Sequence, residues 1–155
     1  MFRLSIPFLV AVSVLAAGGL AQSRRHGAAP VATKGLIGYL QKEQYAERYG
    51  CTYSIKGDGT RVIFFDEDLA RGGEALMNVD GKDVQLKSAG ATRHRKGPVR
   101  VGGREVLDYA AHGIKVRVIR FKGREVGSGD NYSGTITVSK GNRSQTVRFT
   151  GWCGA

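Results

Sequence analysis

The chain has three prolines, two cysteines, three histidines and one tryptophan in 155 residues, and beyond residue 21 it has no apolar run long enough to span a bilayer. Each scarcity excludes something. His26, His94 and His112 share no metal-ligand spacing and there is no Cys-x-x-Cys pair, so zinc has no ligand set. The Gly-x-Ser-x-Gly nucleophile elbow is missing. Asp108 and His112 with one of the serines make only a nominal triad, and a histidine followed by Gly113 reads better as a turn residue. Asp66, Glu67 and Asp68 lack the alternate spacing and the glycine of a calcium loop and read as a solvated connection. Gly127 to Asn131 has no helix after it to hold an anion and reads as a turn. The chain is therefore expected to be non-enzymatic, with no metal and no cofactor.

Glycine, by contrast, is abundant, 23 residues in all, roughly double the usual share of ~7%. The first 21 residues form a separate unit. Arg3 precedes the apolar stretch Leu4 to Leu15, and the small residues Ala16 to Ala21 suit a signal peptidase, with cleavage expected after Ala21. Residues 22–35 mix alanine, glycine, proline and charge without period and read as a flexible basic leader. Residues 36–155 remain as one domain, placed in the periplasm or outside the cell, with no transmembrane segment in the mature chain. An oxidising compartment favours a bond between Cys51 and Cys153, the one intramolecular pairing open to two cysteines. Two free thiols or an intermolecular bridge are the alternatives.

Leu36 to Arg48 allows one short helix, weakened by Gly38 and the lack of a cap. From Tyr49 onward the pattern is strand and turn. Tyr49 to Lys56 and Thr60 to Asp66 flank Gly57-Asp58-Gly59, and Ala75 to Val79 and Lys82 to Lys87 flank Asp80-Gly81, a pair suited to a type I′ turn. Arg104 to Ala111 leads through His112-Gly113 into Ile114 to Lys122, and Tyr132 to Lys140 leads through Gly141-Asn142 into Arg143 to Thr150. About eight short strands with tight turns leave no room for crossover helices, so the expected fold is all-β, a small antiparallel barrel or sandwich.

The formal charge of +11 is unevenly placed, because residues 93–124 hold ten Lys and Arg against two acidic residues. Arg93, Arg95 and Lys96 form a loop cluster with His94, Arg100 and Arg104 follow, and Lys115, Arg117, Arg120 and Lys122 lie along one strand. In that strand Ile114, Val116 and Val118 occupy even positions while Ile119 and Phe121 occupy odd ones. A β-bulge between Val118 and Ile119 would keep every apolar side chain inward and all four cations outward. Edge protection is the simpler reason for basic residues on a strand. The density here instead suggests an anion-binding face directed at an anionic envelope polymer or lipid, or at an acidic protein. Tyr109 and Phe121 are the only aromatics in the basic stretch and Phe121 reads as buried, which disfavours nucleic acid.

Ala75 to Leu86 (ALMNVDGKDVQL) and Lys140 to Gly154 (KGNRSQTVRFTGWCG) resemble small exported bacterial β-proteins of uncharacterised function, a likeness that extends over most of residues 49–154. The chain more loosely resembles the periplasmic inhibitors of c-type lysozyme, disulfide-closed β-barrels with a cysteine near the first strand. That resemblance implies a protein-binding or enzyme-inhibiting barrel as the alternative function. Ser88-Ala-Gly90 is a degraded form of that family's contact loop. A basic chain would repel the basic lysozymes, so no inhibitory residue is carried over.

Overall fold

The computed structural model describes residues 35–67, 74–90 and 99–154. The expected signal peptide, nearly all of the leader, and Arg93, His94, Arg95 and Lys96 lie outside the described residues.

Eight antiparallel strands close into a barrel in sequence order: β1 (Gly50–Ile55), β2 (Val62–Glu67), β3 (Ala75–Val79), β4 (Lys82–Gly90), β5 (Arg104–Ala111), β6 (Ile114–Val126), β7 (Gly129–Lys140) and β8 (Arg143–Gly154). Closure removes every sheet edge, because β1 pairs with β2 on one side and with β8 on the other. Turn chemistry sets the register. Asp80-Gly81 and His112-Gly113 have positive φ at both residues, 53° and 78° and then 48° and 77°, which type I′ turns require. His112 is thus a turn residue, and the Asp108 carboxylate is taken by Arg117 at 2.7 Å.

Cys51 lies directly opposite Cys153 across the β1–β8 seam and the two form a disulfide. Joining the first strand to the last over 102 residues is worth roughly 4–5 kcal/mol in the chain-entropy picture. Inside, Phe149, Tyr53, Phe64 and Tyr109 make a continuous file of rings with centroids 4.6, 5.6 and 5.4 Å apart. Gly151 faces Tyr53 from β8, and a Cβ there would run into the Tyr53 ring.

Two local expectations are corrected. No helix forms over Leu36 to Arg48, where the only helical element is the 3-10 turn Lys42–Gln44. The backbone there bonds to the barrel rim instead. Asp80 N–H donates to the Leu36 carbonyl at 2.8 Å, Gly38 N–H to the Asn78 carbonyl at 3.0 Å and Leu40 N–H to the Val62 carbonyl at 2.8 Å. Ile37 joins the interior core, while Leu40 packs outside with Val62, Phe65 and Leu76. Gly38 makes this approach possible, because a Cβ would collide with the Asn78 side chain.

The second correction concerns β6. Its register against β5 is unbroken from Ile114 to Phe121, so no bulge separates Val118 from Ile119. Strict alternation then sends Arg120 and Lys122 inward and leaves Phe121 outside, 42% exposed. A bulge does occur between β1 and β2, where the register shift at Tyr53/Ser54 lets the adjacent Ile63 and Phe64 both enter the core.

Candidate anion-binding face and the polar mouth of the barrel

The described members of the expected basic set divide into two groups. Arg100, Arg104, Lys115 and Arg117 are exposed, with the last three on the outer face of β5 and β6. Arg120 and Lys122 belong to the barrel interior, at the end where β1 begins and β8 finishes.

On the outside, each row of the sheet can be read from its pairing. Lys87 lies opposite Ala110, which lies opposite Lys115, then Ser139 and Ser144. The next row runs Asp108, Arg117, Thr137, Thr146, and beyond Val106, Ile119, Thr135 and Arg148 comes the row Arg104, Phe121, Ser133, Thr150. These four rows place Lys87, Lys115, Arg117, Arg104 and Arg148 on one curved surface with a single carboxylate, Asp108. Arg117 binds Asp108 through both its Nε and Nη2, at 2.7 and 3.2 Å, and that hydrogen-bonded pairing raises its pKa. Hydroxyls fill the β7–β8 side, where Thr137 and Thr146 approach to 2.9 Å and Ser139 and Ser144 to 3.2 Å. A surface groove of about 350 Å³ runs between these groups, lined by Ala89, Asp108, Lys115, Arg117, Thr137 and Ser139 among others.

Inside the mouth, the Arg120 side chain is 12% exposed and its charge is answered on three sides. Its Nε donates to Glu105 Oε2 at 2.8 Å, its Nη1 donates to the Tyr53 hydroxyl at 2.7 Å, and Asp66 Oδ2 lies 3.6 Å away. The guanidinium also lies over the Tyr132 ring, 4.6 Å from its centroid, and Nη1 approaches Cys51 Sγ at 3.5 Å. Burial alone would lower the Arg120 pKa, but Tyr53 and Glu105 outweigh it and push it up. Burial raises Tyr53, against the pull of Arg120, and raises Tyr109, with the Asp66 charge adding to it. Nearer the rim, Lys122 pairs with Asp130 at 2.6 Å, which holds the ammonium pKa up.

Asp66 is therefore not part of a solvated connection. It is 2% exposed and faces the interior, while Glu67 beside it is bonded by Arg48 Nε at 2.6 Å. Sequence reasoning missed this cluster because Asp66, Glu105 and Arg120 are each unremarkable alone. The available clue was the alternation of Tyr53, Phe64 and Asp66 with Glu105, Leu107 and Tyr109 on inward positions. Among the described residues no group of three His, Cys, Asp or Glu side chains is placed to hold a metal ion.

No protein-family model, curated protein or solved structure matches the chain.

Proposed function

We propose that this is an exported, non-enzymatic binding barrel that engages an anionic component of the cell envelope through the outer face of β4 to β8. The observation that carries the reading is the composition of the four rows described above, where Lys87, Arg104, Lys115, Arg117 and Arg148 accompany one acidic side chain, Asp108, with Asp83 farther along β4. Such an imbalance draws anions and raises their local concentration. Arg100 is exposed beside the same strands. Export fits the apolar start of the chain and the disulfide between β1 and β8. Among the described residues no helix is long and apolar enough to cross a membrane.

The test is binding of the purified mature chain to lipopolysaccharide and to phosphatidylglycerol vesicles across a salt series. Affinity is expected for at least one of these anions and should fall steeply with salt, because exposed charges are screened beyond ~8 Å at physiological ionic strength. Lys87→Glu, Arg104→Glu and Lys115→Glu together should abolish it and leave the melting temperature within a few degrees. Salt-insensitive binding, or an unchanged triple variant, would reduce the face to a solubilising surface and favour a protein partner.

A further inference from the structure

The outer face has a second property besides its charge, and resting on the reading above we propose that its ligand is an anionic polysaccharide, held with a sugar ring on Phe121. Phe121 is 42% exposed on the outer face of β6, so part of an aromatic ring is open to solvent among the cations. Its neighbours across the rows are Arg104 on one side and Ser133 on the other, so an aromatic plane stands between a guanidinium and a hydroxyl. A pyranose ring has apolar C–H faces and polar edges. The C–H face can cover Phe121 while the edge hydroxyls and an acidic substituent meet Ser133 and Arg104.

The pattern continues along the strands. Two positions down β6 and two more, Ile119 and Arg117 follow Phe121 on the same face, and Arg117 lines the groove with Lys115, Thr137 and Ser139. At ~3.3 Å per residue, Phe121 and Arg117 are about 13 Å apart along the strand. That separation spans more than one sugar unit, so the ligand is a chain and not a single residue.

The hydroxyls separate this ligand from a bilayer. Cations alone attract an anionic lipid surface, and firm docking adds apolar side chains that enter the acyl region. Here the cations share the face with Ser133, Thr135, Thr137 and Ser139 as well as Ile119 and Phe121. Although Thr137 and Ser139 are bonded to Thr146 and Ser144, a hydroxyl both donates and accepts and so suits a polyol. The charge ratio sets the sign, since five cations against Asp108 complement a polymer carrying carboxylates or phosphates.

The experiment uses the disulfide-bonded mature chain and four probes: polygalacturonate, the uncharged glycan dextran, the ring-free polyanion polyglutamate, and phosphatidylglycerol vesicles. Polygalacturonate is expected to bind about tenfold tighter than polyglutamate, and dextran weakly or not at all. Phe121→Ala should weaken polygalacturonate about tenfold, a difference that corresponds to ~1.4 kcal/mol, and leave polyglutamate unchanged. Phe121→Tyr should restore binding, which a loss of folding would not allow. Equal affinity for polygalacturonate and polyglutamate, or preference for vesicles, would overturn the polysaccharide and leave the anion-binding face standing. Binding neither to these three anions nor to lipopolysaccharide would overturn both.

Discussion

Strand β6 carries cations on both of its faces, and the two faces behave differently. Lys115 and Arg117 point out of the barrel, while Arg120 and Lys122, on the same strand and a few residues on, point in. Arg117, whose side chain is 62% exposed, has one carboxylate partner and water around the rest. Arg120 has Glu105, Asp66, the Tyr53 hydroxyl and the face of Tyr132. An exposed pair in high dielectric contributes about 0–1 kcal/mol. A buried cation removed from its partners leaves charges that water cannot reach, at a cost of about 3–5 kcal/mol. Position along a strand therefore decides whether an arginine is available to a ligand or committed to the fold.

The comparison breaks most sharply at Arg120. Arg120→Met should destabilise the barrel by about 3–5 kcal/mol in urea unfolding, because Asp66 and Glu105 lose the guanidinium between them. Adding Asp66→Asn and Glu105→Gln to that variant should recover much of the loss, and equal stability of the single and triple variants would count against the network. An intermediate effect is expected at high pH. Tyr53 and Tyr109 are raised above the ordinary 10.0 by burial, so the folded protein holds protons that the unfolded chain gives up. Their contribution is complete below that unfolded value and is lost as pH rises, about 1.4 kcal/mol for each tyrosine by about pH 11. Unfolding midpoints measured from about pH 9 to pH 11 should fall in the parent and fall about half as far in Tyr53→Phe, where Tyr109 still contributes. Arg117→Gln marks the small end. It should leave the urea midpoint nearly unchanged while weakening anion binding, and a loss comparable to Arg120→Met would erase the distinction between the faces.

A cluster at the opposite end of the barrel obeys the same rule. Asp80, at the β3–β4 turn, is bonded by Lys140 Nζ at 2.8 Å and Arg143 Nη2 at 2.7 Å, which lower its pKa. Both partners are on the surface, so this cluster ties one turn to another without entering the core.

Much of the scaffold was legible in the residues. β3 and β5 coincide with the runs Ala75 to Val79 and Arg104 to Ala111, because Asp80-Gly81 and His112-Gly113 permit one kind of turn and the apolar side chains alternate. The ends of β6, β7 and β8 extend past the expected runs, since Gly123, Gly129 and Gly151 carry no side chain to show a period. The short helix expected over 36–48 does not form because Ile37 and Leu40 serve two different surfaces, the barrel interior and the outside of β2 and β3. Three members of the expected basic set were readable in the same way. Arg104, Lys115 and Arg117 stand at outward positions of a simple alternation, whereas Arg120 and Phe121 were exchanged.

That exchange shows what each level of information determines. The sequence by itself determined an all-β domain, the pairing of neighbours through two-residue turns and the concentration of positive charge between residues 93 and 124, because these depend on local backbone preference and counting. Only the tertiary structure decided that the barrel closes, that Cys51 meets Cys153 and that Arg120 turns inward while Phe121 stays out. A strand read alone gains nothing from burying an arginine and loses by exposing a phenylalanine, so a bulge looks cheaper. Once β1, β2 and β5 bring Tyr53, Asp66 and Glu105 to the same point, the buried charge is neutralised and hydrogen-bonded, and the regular register has the lower free energy.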